Sequence, residues 1–235
     1  MPCLKTLTAA PALLAGLTFT HAGTLDVFTC RNGELTTVKV SLTGEESLRL
    51  IRSGSAIWSS GRWDRDTFHA MVERRGIWDS TPATRLFEVL GTKTPASYLA
   101  AIAAVESGRN GYPWPWTINF NGKGHFFTSM ERAVDAARNL VRSGYTSFDV
   151  GAMQVNWHFH GHMFDSIESA FDPVQNIRVA DQLIQAHHRS TGSWAEALGR
   201  YHSKTPSLKH NYLQKVNQHL CRISQPNPNT RKQPC

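Results

Sequence analysis

The chain has 235 residues, of which 40% are hydrophobic and 18% charged, and a formal net charge of +7. That balance excludes a disordered chain, and the length allows one good-sized domain plus a small accessory segment. The positive charge points to anionic partners (nucleic acid, anionic lipid or an anionic wall polymer) without choosing among them.

The N-terminus reads Met1-Pro2-Cys3-Leu4-Lys5, then a mostly apolar run from Leu7 to Phe19, then Thr20-His21-Ala22 before Gly23. A basic start, a brief apolar stretch and a small-residue site make residues 1–22 a secretory signal peptide. The run is short and broken by Pro11 and Gly16, and no later stretch suits a bilayer span, so a cleaved, exported, periplasmic protein without stable membrane insertion is expected. Cleavage removes Lys5 and lowers the net charge by one. It also leaves Cys30, Cys221 and Cys235, one pair of which an oxidising compartment would join. Cys30 with Cys221 is preferred because it staples the ends of the folded part; the other two pairings stay open.

Residues 23–43 include Leu35-Thr36-Thr37-Val38-Lys39-Val40, suited to a short strand or extended arm. From Glu45 to Leu90, apolar positions such as Leu48, Ile51, Phe68, Met71 and Leu86 recur at helical spacing. Residues 23–90 therefore read as an accessory, mostly helical segment, and 91–223 as the main domain. Residues 224–235, with Pro226, Pro228 and no apolar periodicity, read as a disordered tail.

In the main domain Thr94 is an N-cap candidate with Pro95 at the first helical position; the helix carries Leu99, Ile102 and Val105, and Gly108 is placed to stop it. Asn121-Gly122-Lys123-Gly124 between Trp116–Phe120 and His125–Phe127 predicts a hairpin turn. Thr128 to Glu131 has the form of a capping box before a helix burying Val134, Ala137 and Val141. Asp172-Pro173 opens a third helix with Ile177, Ala180 and Ile184. Ser193 to Glu196 is a second box before Trp194, Ala197, Leu198 and Tyr201, and a last helix presents Tyr212, Val216 and Leu220. The fold expected is mainly α with a small β-hairpin insertion.

Glu106 lies four residues after Ile102 and seven after Leu99, at the edge of the buried stripe and in the last turn of its helix. Burial and the negative end of the helix dipole both raise a carboxyl pKa, as a proton donor working near neutral pH requires. Downstream come Ser147-Phe148-Asp149-Val150-Gly151-Ala152-Met153-Gln154-Val155-Asn156, then Asp172-Pro173 with Asn176-Ile177, then Ala197-Leu198-Gly199-Arg200-Tyr201-His202. With Glu106-Ser107-Gly108 this series resembles the soluble lytic transglycosylase (SLT) domain, a goose-type lysozyme-like fold, over roughly residues 90 to 220. The second motif looks closest to the periplasmic enzymes of secretion, conjugation and pilus systems.

The resemblance implies cleavage of the MurNAc-β-1,4-GlcNAc bond of peptidoglycan with formation of 1,6-anhydromuramic acid, and no cofactor. Glu106 would be the general acid and base, Ser107 would orient it by a hydrogen bond, and the Tyr201 hydroxyl would hold its carboxyl. Gly151 would let the backbone approach the sugar closely, while Met153, Gln154 and Asn156 would line or shape the groove. The expected partners are peptidoglycan strands and a type IV secretion, conjugation or pilus apparatus; no nucleic acid is expected. Where the family has Asn and Gly after the tyrosine, this chain has His202 and Lys204.

Asp149 is either a second carboxylate for a hydrolytic, lysozyme-like reaction or, the favoured reading, a cap on the turn into Gly151. His158, His160 and His162 would share a face only on a strand, and no carboxylate or Cys stands at ligand spacing, so no metal site is expected. The run Tyr112-Pro113-Trp114-Pro115-Trp116 suits sugar stacking or a Pro-rigidified loop equally. A non-catalytic peptidoglycan-binding scaffold is the competing functional class.

Overall fold

A computed structural model describes residues 23–31, 34–58, 66–67, 70, 87–88, 90–109 and 112–224. The expected signal peptide and the tail after Ser224 lie outside these residues. The chain forms two compact units, Met1–Thr81 and Pro82–Cys235.

The first unit is built on a hairpin of strands β1 (Gly23–Arg31) and β2 (Glu34–Leu42), paired from Gly23↔Leu42 to Arg31↔Glu34. Strand β3 (Ala56–Trp58) adds to the other edge of β1, giving the order β2-β1-β3. Helix α1 (Gly44–Arg52) follows β2, with Glu45 and Glu46 in its first turn and Arg49 and Arg52 in its last, each sign matched to the helix dipole. Leu25, Ile51 and Ala56 form a small core packed by Val27, Leu42, Leu48 and Leu50. Up to Trp58 the segment is a three-stranded sheet with one helix, while most of residues 59–90, over which the mostly helical expectation also runs, lie outside the described residues. The helical spacing around Leu48 and Ile51 belongs to α1 alone, and the Thr/Val-rich run before it pairs as a strand. The helical positions expected at Met71 and Leu86 lie outside the described residues.

The second unit is mainly α. Its centre is helix α2 (Ala96–Ser107), apolar around its whole circumference, with Leu99, Ala100, Ala101, Ile102 and Ala103 all buried. The N-cap is Pro95, one residue later than expected, and Thr94 contributes differently. The backbone N–H groups of Lys93 and Thr94 donate to the Asp181 carboxylate at 2.9 and 2.8 Å, and Gln185 donates to the Thr94 hydroxyl at 3.1 Å. A tertiary contact therefore fixes the start of α2.

Short strands β4 (Gly108–Arg109) and β5 (Tyr112–Pro113) pair directly after α2. Strands β6 (Thr117–Phe120) and β7 (Lys123–Phe126) form the expected hairpin, whose Asn121 and Gly122 have φ of 52° and 74°. Two left-handed residues in succession make the tight turn that suits twisted strands. Strands β8 (Asp149–Val150) and β9 (Val155–Asn156) extend the sheet to the order β7-β6-β8-β9.

Helix α3 (Met130–Arg142) is capped by Ser129, which accepts from Arg132 N; Val134 and Ala137 are buried, whereas Val141 is exposed. Helices α4 (Trp157–His160) and α5 (Ile167–Phe171) flank a 3-10 turn. Helix α6 (Pro173–Thr191) starts as expected, with Pro173 in its first turn and the Asp172 side chain accepting from Gln175 N, and buries Ile177, Ala180 and Ile184. Helix α7 (Trp194–His202) is capped by Ser193, but the Glu196 carboxylate takes Lys209 of the next helix at 2.8 and 2.9 Å instead of closing a box. Helix α8 (Pro206–Ser224) buries Tyr212 and Val216. Cys221 on α8 is disulfide-bonded; Cys30 pairing lies outside the described side chains. Among the described residues no helix is long and apolar enough to cross a membrane.

Candidate active site

Glu106 lies half-buried in the last turn of α2, and the Tyr212 hydroxyl of α8 donates to its Oε1 at 2.6 Å. Burial pushes its pKa up from 4.5 to about 7. The Tyr212 hydrogen bond and the Lys215 charge pull the other way, and the nearby Asp149 charge adds to the rise. Glu106 is therefore a carboxyl that keeps its proton near neutral pH and has a fixed donor to receive the charge after it leaves.

Tyr201 does not hold Glu106. Its hydroxyl donates to the Met153 carbonyl at 2.7 Å, while Tyr212, one helix later, reaches the carboxyl. Both hydroxyls are kept protonated, chiefly by burial and then by the Glu106 charge. The local signal for Tyr212 was its place on the apolar stripe with Val216, because a buried tyrosine seeks a partner for its hydroxyl. His202 stacks on the Tyr212 ring, centroids 4.6 Å apart and planes within 3°. The site thus uses the residue that departs from the family pattern to cover the tyrosine that grips Glu106.

Ser107 also serves a different contact from the expected one. Buried, it donates to the Ala152 carbonyl at 2.5 Å and accepts from Trp114 N at 3.1 Å, tying the end of α2 to the 151–154 loop and to the segment after β5. Gly151, at φ 82°, has its open side against Asn176, where a Cβ would lie 2.3 Å from Nδ2. The space spared by its missing side chain is filled by Asn176.

Asn176, fully buried, donates to the Val150 and Ala170 carbonyls at 3.0 and 2.9 Å and accepts from Met153 N at 2.8 Å. Met153 is fully buried, so it shapes the wall from behind without lining it. Gln154, at φ 50°, donates to the Thr117 and Gly151 carbonyls at 3.2 and 2.8 Å, joining the loop to β6. Asn156 caps α4 with its oxygen and donates to Asp149 Oδ1 at 2.8 Å.

Asp149 caps no turn. Asn156 and Asn119 hold its two carboxylate oxygens at 2.8 and 3.4 Å, and burial raises its pKa more than the Asn156 hydrogen bond and the His202 charge lower it. The ladder pairs Thr117 with Phe126, Asn119 with Asp149, and Asp149 with Asn156. Opposed residues project from the same face, so these five side chains share one face of the sheet, and Ile118 and Val150 pack the core from the other.

His158 bonds Thr146 at 2.9 Å, whereas His160 has its pKa lowered by burial and by His162 and His187. In the aromatic run Trp116 is buried, while half-buried Trp114 donates through Nε1 to the Phe127 carbonyl at 2.8 Å.

The second unit thus places the buried helix α2, with Glu106 in its last turn, beside a small sheet. The chain belongs to the transglycosylase SLT domain family, whose model matches residues 90–219. This family consists of lytic transglycosylases acting on peptidoglycan. No curated protein and no solved structure matches the chain.

Proposed function

We propose that the protein is a peptidoglycan lytic transglycosylase with Glu106 as its single acid and base. The observation that carries this reading is the Glu106 carboxyl, held protonated up to about pH 7 by burial and gripped by Tyr212 at 2.6 Å. Glu106 gives its proton to the glycosidic oxygen between MurNAc and GlcNAc, and the bond to the MurNAc C1 breaks as GlcNAc leaves with a free 4-hydroxyl. The substrate's own N-acetyl group stabilises the oxocarbenium-like C1. Glu106, now a carboxylate stabilised by the Tyr212 hydroxyl and the Lys215 charge, takes the proton of the C6 hydroxyl as O6 bonds to C1. The 1,6-anhydro ring closes, Glu106 is reprotonated and no water is consumed.

Asp149 supports a second reading, hydrolysis with two carboxylates, because its charge acts on Glu106. Its two oxygens are already held by Asn156 and Asn119, which favours a fixed electrostatic role. Mass analysis of digested peptidoglycan separates the readings. The single-acid mechanism yields 1,6-anhydromuropeptides, Glu106→Gln abolishes them, and Asp149→Asn keeps the anhydro product. Reducing-end products lost in Asp149→Asn would establish hydrolysis, and binding without products would establish a scaffold. Export to the periplasm by cleavage after residue 22 fits a peptidoglycan substrate, and N-terminal sequencing of the secreted form tests it. Local wall opening for a secretion, conjugation or pilus apparatus rests on the form of the Ser147–Asn156 motif, and co-purification with such an apparatus tests it.

A further inference from the structure

Three residues after Glu106, the Arg109 guanidinium lies over two rings, 4.8 Å from the Trp114 centroid and 5.9 Å from that of Phe126. The residue is exposed, and among the described residues no carboxylate lies within ion-pair distance of it. An arginine lying on aromatic faces is pre-organised: its stem and plane are fixed by the rings, and its N–H edges stay open to a planar anion. Trp114 is itself fixed, since its backbone N–H donates to the Ser107 carbonyl and hydroxyl at 3.0 and 3.1 Å and its indole N–H to Phe127.

The register puts this cation on the side of the sheet that holds Asp149. Phe126 opposes Thr117, and Asn119, two residues further along the same face of β6, binds Asp149. Strand spacing and rise separate Phe126 from Asp149 by about 12 Å along that face. Phe126 is 47% exposed, so the platform opens to solvent.

Resting on the function proposed above, we propose that Arg109, on its Trp114–Phe126 platform, is a carboxylate subsite for the peptide stem carried by muramic acid near the scissile bond. The glycan backbone of stem-bearing peptidoglycan is uncharged, and its stems bear free carboxylates, which suit a bidentate guanidinium. Arg109 would thereby make the enzyme prefer peptide-bearing glycan.

Binding tests this without chemistry. The full chain carrying Glu106→Gln is titrated with soluble glycan fragments whose stem carboxylates are free, and with the same fragments after conversion of those carboxylates to neutral amides. The titration is repeated in the same background with Arg109→Gln and with Arg109→Met, which keeps an apolar stem on the rings. Loss of Arg109 is expected to weaken binding of the free-carboxylate fragment about tenfold. On the amidated fragment all three proteins converge, and the gap narrows with salt. An equal loss on both fragments would show that Arg109 only braces the aromatics, and no loss on either would remove it from the site; both overturn the proposal. A failure of the wild type to form anhydro products is a separate readout and bears on the reaction alone.

Discussion

At the residue scale, Glu106, the proposed acid, is a buried carboxyl held at a cost to stability. Its pKa is about 7 in the fold against 4.5 for a free glutamate side chain, so between those limits the native state holds a proton that the unfolded chain has lost. Its contribution is complete below the lower value and lost as pH rises through the upper one, on the order of 3 kcal/mol in all. Glu106→Gln therefore gains stability relative to wild type between about pH 4 and pH 8, read as a widening difference in Tm. Tyr212→Phe acts in two directions. Loss of the donor raises the Glu106 pKa further, so the alkaline limb of the rate profile moves to higher pH. Loss of orientation lowers kcat about tenfold or more. A profile unshifted with kcat intact would leave Tyr212 without a role. Tyr201→Phe, which frees a carbonyl of the wall, should cost stability first, measured by denaturant unfolding.

At the element scale, the 151–154 loop is a rigid wall because its backbone groups are claimed by side chains from four places: Ser107 on α2, Tyr201 on α7, Asn176 on α6 and its own Gln154. Much of the motif is explained by that wall. Gly151→Ala must place a methyl carbon 2.3 Å from Asn176 Nδ2 at φ 82°, which no side-chain adjustment of a fully buried asparagine accommodates. The expected loss is about 3 kcal/mol or more, seen as a lower denaturation midpoint and, through the displaced wall, lower kcat. Asn176→Ala relieves that clash and takes away the side-chain partner of the Met153 N–H and of two carbonyls, so the double variant should cost less than the sum of the singles.

At the scale of the whole molecule, the basic net charge, +7 for the full chain and one less after the proposed cleavage, would act on an anionic wall, so KM on intact peptidoglycan should rise with ionic strength while kcat stays level. A KM indifferent to salt would mean that the basic surface serves another partner. Local pattern was enough to decide the order of the long helices in the family-matched region, the caps at Asp172 and Ser193, the Asn121-Gly122 turn and the position of Glu106 at the end of a buried helix. Each depends on residues a few positions apart, whose backbone preferences and burial periodicity act before any distant contact forms. The resemblance assigned the Glu106 carboxyl to Tyr201, and nothing local in the sequence distinguishes the apolar face that carries Tyr201 from the one that carries Tyr212, which makes the contact. The sequence likewise could not show that Asn176 fills the side of Gly151 or that Arg109 lies on rings from β7 and the segment after β5. Periodicity determines which face of an element is buried, and only the packing of α7, α8 and the sheet against α2 determines what that face is buried against.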